Sequence, residues 1–254
     1  MYACWTPFPN GTVRPEGAWQ FHRDPLLKSA PMAEHLCVAG KHALLWSGGK
    51  DSALALHRAH SLGLEIGRLI NFYDVATGRV RFHATRIEML RQQAAVAEID
   101  LQAIATTWPE MVEHLVDALA NLRMEGYVGA VFGDIHLADV RAWYERHVTA
   151  AGLEHIEPLW GESPVDLVRE FVGSGGRAVI TCVDSSRLDS SWLGRIIDDH
   201  FVDEISSVGI DPSGENGEYH SFAFASPMFR EPVAWRPGDV RSDSRFSQLD
   251  VVKD

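Results

Sequence analysis

Apolar segments of strand length alternate with helical segments between residues 43 and 183, and this alternation constrains the fold more than any other feature of the chain. The strand-like segments are residues 43–46, 66–73, 101–106, 128–132 and 178–183. Apolar strands that alternate with helices are typical of a mostly parallel sheet covered on both faces. The sequence therefore predicts an α/β protein with a doubly wound, mostly parallel sheet.

Helix start and stop signals support this interpretation. Thr85 with Glu88, and Thr107 with Glu110, have the spacing of a capping box, which predicts a helix start at each threonine. Gly63 follows the first helical segment at the position where glycine commonly ends a helix.

Charge and cysteine content exclude several classes of function. The chain of 254 residues has 23 Lys and Arg against 35 Asp and Glu, a net charge of −12, which disfavours non-specific binding to nucleic acid. The three cysteines contain no CxxC pair, so neither a structural zinc site nor a disulfide framework is expected. No apolar segment has the length of a membrane span. A soluble protein of a reducing, cytoplasmic compartment is the expectation.

A polar loop follows the first strand and leads directly into a helix; its residues are Ser47, Gly48, Gly49, Lys50, Asp51 and Ser52. Adjacent glycines let backbone N–H groups approach a ligand, and the helix N-terminus adds partial positive charge. Lys50 adds a mobile charge, and the hydroxyls of Ser47 and Ser52 can donate to phosphate oxygens. Asp51 would repel phosphate unless Mg²⁺ lay between them, so Asp51 is a candidate metal ligand. The loop is predicted to bind an anion; an ordinary turn is the alternative.

The loop lacks the spacing of a Walker A sequence, because Leu44 stands where its first glycine would be. The sequence SGGKDS instead resembles the pyrophosphate-binding loop of the N-type ATP pyrophosphatases, also called the PP-loop superfamily. That resemblance implies binding of ATP, cleavage between its α- and β-phosphates, and transfer of AMP to a substrate.

Features of the rest of the chain exclude several branches of that superfamily. Sulfur-transferring members use paired catalytic cysteines, and the phosphoadenosine-phosphosulfate reductases have a C-terminal catalytic cysteine, whereas this chain has no cysteine after Cys182. Amidotransferase members carry a glutaminase domain for which the chain has no room. A tRNA-lysidine synthetase would have a more basic surface.

A second polar segment, residues 211–222, reads DPSGENGEYHSF. Glu215 and Glu218 place two carboxylates close together, with Asn216 and His220 beside them. Such a segment could hold Mg²⁺, an ammonium ion or an amine nucleophile. A solvated acidic turn is the alternative.

This segment resembles the GENGE[YF][EH][ST]F signature of the diphthine–ammonia ligase family. Residues 132–135 (FGDI) and 157–161 (EPLWG) are similar to segments of bacterial-type members. The resemblance covers about residues 42–229. It implies that a substrate carboxylate is adenylated by ATP and then amidated by ammonia, with pyrophosphate and AMP released.

The resemblance also implies roles for individual residues. Lys50, Asp51, Glu215, Glu218 and His220 are the expected catalytic residues. The loop at 47–52, together with His83 and Asp134, is expected to contact ATP, with adenine near residues 71–73 and 132–134. Asn216, Glu218, His220 and Ser186 are expected on the side of the acceptor and ammonia, and Asp51 is the expected Mg²⁺ ligand. Alternatives remain open for three of them: a structural role for His83, a helix cap for Asp134 and a plain loop position for Ser186.

The expected domain boundaries follow from these assignments. Residues 1–41, which contain five prolines, are predicted to be an irregular arm. Residues 42–140 are expected to form the ATP-binding domain and residues 141–229 a smaller C-terminal substrate domain. Residues 230–254 are expected to be a polar tail.

The sequence does not identify the acceptor. Archaeal and eukaryotic members of the family act on diphthine in a protein, whereas a bacterial-type member would amidate another carboxylate, such as a small molecule. The expected partners are that carboxylate and ammonia, with a homodimer possible. The alternatives are another PP-loop adenylating enzyme, such as a tRNA modifier, and a nucleotide-binding module without turnover.

Overall fold

A computed structural model describes residues 40–81, 83–243 and 245–254. The predicted N-terminal arm lies outside the described residues, apart from its last two positions.

The first sheet contains the predicted alternation of strands and helices. Its elements are β1 (Lys41–Leu45), α1 (Lys50–Ser61), β2 (Glu65–Asp74), β3 (Arg79–Val80), α2 (Ile87–Ala97), β4 (Leu101–Thr106), α3 (Met111–Met124), β5 (Gly129–Val131), α4 (Ala138–Ala150) and β6 (Glu154–Ile156). The parallel strands lie in the order β4-β2-β1-β5-β6, and the short β3 pairs antiparallel with the end of β2. The predicted α/β class with a mostly parallel sheet is confirmed.

Both faces of this sheet are covered, because neighbouring residues of a strand belong to different apolar cores. Ala43 of β1 packs with α3 and α4, whereas Leu44 packs with α1 and α2. Ala130 and Val131 of β5 are divided in the same way. Successive strand residues point to opposite faces, so this division places helices on each side, as in a doubly wound sheet.

A second, antiparallel sheet follows. Its elements, with the helices that pack on it, are α5 (Pro164–Gly173), β7 (Arg177–Asp184), β8 (Ile196–Ile197), α6 (Asp199–Ser207), β9 (Tyr219–Ala225), β10 (Arg236–Ser242) and β11 (Phe246–Val252). β7 is central: it pairs with β9 on one edge and with β8 and β11 on the other. β10 extends the sheet beyond β11.

The C-terminal region differs from the expectation of a polar tail, because β10 and β11 form a β-hairpin whose second strand pairs with β7. β10 is mostly exposed, which explains its polar sequence, whereas β11 buries Leu249, Asp250 and Val251. Because only one strand of this hairpin is covered, apolar and polar residues alternate too weakly along it for the strands to be recognised from sequence.

Two further expectations differ from the structure. The first sheet includes β6, so it extends past the predicted boundary at residue 140. The helices after Thr85 and Thr107 begin at Ile87 and Met111, and neither has a side-chain cap hydrogen bond. Thr107 instead donates its hydroxyl hydrogen bond to Glu110 directly.

None of the helices in the described ranges is long and apolar enough to cross a membrane.

Candidate functional site

The polar loop at residues 47–52 joins β1 to α1 at the carboxyl end of the parallel sheet. Gly49 is the N-cap of α1, and Gly48 has a φ of +78°, a backbone conformation that favours glycine. A Cβ atom at Gly48 would also lie 2.7 Å from Oε1 of Gln93. The N-terminal N–H groups of α1 therefore face the edge of the sheet where α/β proteins bind ligands.

Lys50 differs from the expected mobile charge, because it is buried and its ammonium group is held in place. Its Nζ donates to Asp51 Oδ2 at 2.9 Å and to the carbonyl oxygen of Ser213, and it lies 5.0 Å from the centre of the Tyr219 ring. Burial is the largest single influence on the pKa of Lys50 and lowers it, but the charge and hydrogen bond of Asp51, together with Tyr219 and Glu215, hold that pKa above its ordinary value. Lys50 therefore joins the loop to the acidic segment as a charged group.

The hydroxyls of the loop bond within the loop. Ser52 Oγ donates to the carbonyl oxygen of Gly49 at 3.0 Å, and Ser47 Oγ donates to Ser52 Oγ at 3.2 Å. The backbone N–H of Gly49 donates to Ser47 Oγ at 3.3 Å. The loop is thus closed on itself, with the side chain of Ser47 on the pocket side.

An open-sided pocket lies between this loop, the end of β5 and the acidic segment. It is lined by Leu45, Ser47, Asp51, Ser52, Phe132, Gly133, Asp134, Tyr144 and Glu215. Gly133 permits the close approach of β5 to the loop, because a Cβ atom there would lie 3.1 Å from backbone atoms of Asp51 and Ser52. The structure therefore brings both sequence segments to one pocket.

Asp134 and Glu215 add carboxylates to that pocket. The N-cap of α4 is Leu137, so Asp134 does not cap the helix. Glu215 Oε1 accepts a 3.0 Å hydrogen bond from the backbone N–H of Ile135, whereas its buried Oε2 has no hydrogen-bond partner among the described residues. Burial raises the pKa of Glu215 to about 7, and the charges of Asp134 and Asp51 contribute. Glu215 can therefore exchange a proton near neutral pH.

Glu218 lies beside the pocket rather than in its lining. Its Oε1 accepts from Arg187 Nη1 at 3.1 Å and from Asn216 Nδ2 at 3.4 Å. Its Oε2 is buried and has no hydrogen-bond partner within the described part of the chain. Asn216 also donates to Asp211 Oδ2 at 3.3 Å, so these side chains form a connected polar rim.

His83 and His220 lie together behind the loop. Their ring centres are 4.8 Å apart, both rings are buried, and His83 Nδ1 is 3.3 Å from the carbonyl oxygen of Ser221. Burial lowers the pKa of His83 to about 4, and burial together with His83 lowers the pKa of His220 well below its ordinary value. Both rings are therefore neutral near pH 7, and a Cβ atom at Gly49 would lie 3.0 Å from the His83 ring.

Ser186 lies in the turn after β7, and its hydroxyl and backbone N–H both donate to Asp184 Oδ1. It does not line the pocket. Its role on the acceptor side stays a prediction.

The sequence patterns did not single out Gln93 or Tyr219. The sequence signal for Gln93 was a polar residue beside the apolar stripe of α2. The structure shows that this residue is fully buried. Tyr219 lies inside the recognised acidic segment, but only the folded chain places its ring over Lys50. Arg187, which donates to Glu218, lies in the turn after β7, 31 positions earlier in the sequence.

The fold and the loop define an α/β protein whose polar strand-to-helix loop lies beside a carboxylate-lined pocket. The sequence model of the diphthamide synthase N-terminal domain matches residues 40–155, and that of the diphthamide synthase C-terminal domain matches residues 163–241. These matches together cover well over half of the chain, so the chain belongs to the diphthine–ammonia ligase family, a family of ligases.

Curated relatives agree with this assignment. Diphthine–ammonia ligase of Homo sapiens is 24% identical over 220 residues, 75% of this chain and 81% of the relative. The Bos taurus enzyme of that name is 25% identical over 231 residues, 80% of this chain and 85% of the relative. The Danio rerio enzyme is 24% identical over 241 residues, 82% of this chain and 92% of the relative.

Proposed function

We propose that the protein is an ATP-dependent, AMP-forming ligase that adenylates a carboxylate and converts it to an amide with ammonia or an amine. The observation that carries the proposal is the shared pocket, which Asp51 of the loop, Asp134 of the first sheet and Glu215 of the acidic segment line together. A nucleotide held by the loop would place its phosphates beside these carboxylates. Membership of a ligase family supports the same chemistry.

The proposed reaction has two steps. A carboxylate oxygen of the acceptor attacks the α-phosphorus of ATP, the bond from that phosphorus to the bridging oxygen breaks, and pyrophosphate leaves. Ammonia then attacks the acyl carbon, AMP leaves with the bonding electrons, and one N–H proton passes to a base. The protein contributes positioning and charge stabilisation to both steps.

The loop is the proposed pyrophosphate site. The backbone N–H groups at the start of α1 are donors suited to phosphate oxygens. The hydroxyls of Ser47 and Ser52, which donate within the loop, would rotate to donate to phosphate as well. Lys50 contributes its positive charge from behind the loop, where Asp51 and Ser213 hold it. His83 is neutral and its ring would lie 3.0 Å from a Cβ atom at Gly49, so it is proposed to support the loop from its other side.

Glu215 is the proposed base for the amidation step. Its pKa of about 7 leaves a large fraction ionised at neutral pH, and its Oε2 is not occupied by any described residue. Glu218, Asn216 and His220 are proposed to shape the acceptor and amine side. Ser186 is the more peripheral member of that group.

Mg²⁺ is the proposed cofactor, and the residues of the pocket fit it. No group of three metal-ligating side chains occurs in the described ranges. Mg²⁺ commonly takes only one or two protein carboxylates and completes its shell with phosphates and water, so Asp51 with Asp134 is a sufficient donor set. When bound, it would neutralise phosphate charge.

Adenine is proposed to lie at the carboxyl ends of β2 and β4. An apolar cleft there is lined by Phe72, Tyr73, Asp74, Arg81, Thr106, Thr107, Trp108 and Met111. Arg81 stacks over the Trp108 ring at 4.4 Å, which gives this cleft a flat, partly aromatic wall. Asn71 donates its Nδ2 to the carbonyl oxygen of Trp46 at 2.8 Å, and its buried Oδ1 has no hydrogen-bond partner among the described residues.

The test combines binding with product analysis. Calorimetry with MgATP is followed by measurement of AMP and pyrophosphate in the presence of ammonium and carboxylate acceptors, with diphthine first because the relatives are named for it. Ser47→Ala is expected to weaken MgATP binding, whereas Glu215→Gln is expected to bind MgATP within a few-fold of wild type and to lose amide formation. Formation of ADP instead of AMP, or no binding of MgATP by the wild type, would reject the proposal.

A further inference from the structure

Gln93 of α2 is fully buried and forms hydrogen bonds with three groups at or near the loop at residues 47–52, called the nucleotide loop below. Its Nε2 donates to the carbonyl oxygens of Gly48 at 2.9 Å and Ala223 at 2.6 Å, and its Oε1 accepts from the indole N–H of Trp46 at 2.9 Å. Two carbonyl acceptors at one end and an N–H donor at the other fix the orientation of the side-chain amide. Both amide hydrogens and the amide oxygen are thus engaged.

These contacts determine the direction of the peptide unit between Gly48 and Gly49. The Gly48 carbonyl oxygen accepts from Gln93 and from the backbone N–H of Ala223 at 2.8 Å, so both of its lone pairs are occupied. The C=O and N–H of a trans peptide point in opposite directions. The N–H of Gly49 therefore points away from Gln93 and towards Ser47 Oγ, on the side of the pocket.

We propose that Gln93 is a positioning residue of the nucleotide loop, which holds the Gly48–Gly49 peptide so that its N–H group faces the bound pyrophosphate portion of ATP. This inference rests on the proposed function. Rotation of the peptide would direct a carbonyl oxygen at the anion site, and an oxygen there repels phosphate. Gly48 lacks a Cβ, so its backbone can rotate readily without an external restraint.

The position requires an amide. Methionine has a similar length but donates no hydrogen bond, and glutamate would direct a second oxygen at the two carbonyl oxygens. Either replacement leaves the Gly48 carbonyl with only the hydrogen bond from Ala223.

The test compares Gln93→Met with the wild type by calorimetry, using MgATP, magnesium pyrophosphate and AMP as separate ligands. The expected result is about tenfold weaker binding of MgATP and of pyrophosphate, with the affinity for AMP unchanged. Leu122→Ala is the control, because Leu122 is equally buried but lies at the far end of α3, in the core on the other face of the sheet. That control is expected to lower the melting temperature and to leave all three affinities unchanged.

Three outcomes would overturn the inference. MgATP and pyrophosphate affinities within twofold of wild type would make Gln93 a packing residue, and equal weakening of AMP would indicate a general distortion of the site. Equal losses in the Leu122→Ala control would attribute the effect to stability alone. If Gln93→Met does not fold, Gln93→Glu, which keeps the acceptor for Trp46, is measured with the same ligands. A wild type that binds no MgATP rejects the proposed function itself, which is a different result.

Discussion

The ammonium nitrogen of Lys50 lies 5.0 Å from the centre of the Tyr219 ring, so a residue of the loop at 47–52 contacts a residue of the acidic segment at 211–222. These residues are distant in sequence: Lys50 is the first residue of α1, whereas Tyr219 is the first residue of β9 in the second sheet. The aromatic face, the Asp51 carboxylate and the Ser213 carbonyl oxygen together stabilise the buried cation. The loop and the acidic segment therefore form one structural unit.

Replacement of Lys50 is expected to destabilise the fold as well as ATP binding. Lys50→Met leaves the buried Asp51 carboxylate without its partner, a change that typically costs about 3–5 kcal/mol. The loss should be smaller at pH 5 than at pH 8, because an unpaired buried carboxylate is more readily protonated. Urea unfolding of the wild type and of Lys50→Met at both pH values measures this loss of stability.

The control for this prediction is Lys41→Met. Lys41 forms an ion pair with Glu65 at 4.0 Å, and both side chains are more than half exposed. Its loss is expected to change the free energy of unfolding by less than about 0.5 kcal/mol. Equal effects of the two substitutions would show that the Lys50–Asp51 pair has no special role in stability.

Glu215 is expected to make the ligand-free protein less stable as pH rises. Burial raises the pKa of Glu215 to about 7, so between its ordinary value and pH 7 the folded state binds more protons than the unfolded state. Stability from this group is therefore present at low pH and is lost as pH rises through about 7. Glu215→Gln should raise the melting temperature at pH 8 and leave it unchanged at pH 4, as thermal melts across this range would show. A lower melting temperature for the variant at pH 8 would contradict the prediction.

The two buried histidines are expected to act in the opposite direction. Burial lowers the pKa of His83 to about 4, and the pKa of His220 is also lowered, so the unfolded state binds more protons below the ordinary pKa of about 6.5. Their contribution is present near pH 7 and declines as pH falls towards 4, by up to about 3 kcal/mol for His83. The His83→Gln/His220→Gln variant should show a flatter decline in denaturant unfolding between pH 7 and 4. An unchanged slope would indicate that both rings stay accessible to protons in the folded state.

The Asp250 carboxylate is expected to be a main attachment of the C-terminal hairpin. Asp250 is buried and accepts from Arg79 at 2.8 Å and from Arg86 Nη2 at 2.6 Å, and these hydrogen bonds hold the pKa of Asp250 below its ordinary value despite burial. Asp250→Asn should lower the free energy of unfolding by about 2 kcal/mol. Asp203→Asn, which removes an exposed pair with Arg169, should change it by less than about 0.5 kcal/mol. Chemical denaturation measures the free energy of unfolding of both variants. Similar losses would show that Asp250 is not a main attachment of the hairpin.

Much of the first sheet could be predicted because its signals are local. The strand at 101–106 has the predicted bounds, and α1 ends just before Gly63, whose φ is +78°. The capping pairs at Thr85 and Thr107 did not start their helices, because tertiary packing places the first helical turn two to four residues later. The junction between the two matched domains falls between residues 155 and 163, after β6, a strand of three residues that is too short to give a periodic signal.

The sequence by itself determined the α/β class, the polar loop at 47–52 and the acidic segment at 211–222, because each depends on local patterns of residues. Only the tertiary structure decided that Lys50 is fixed rather than mobile, that Gln93 orients the Gly48–Gly49 peptide, and that the C-terminal hairpin completes the second sheet. These features depend on contacts between residues 45 to 171 positions apart, whose geometry the order of residues does not state. Burial, which sets the protonation of Glu215 and His83, likewise exists only once the two sheets have packed together.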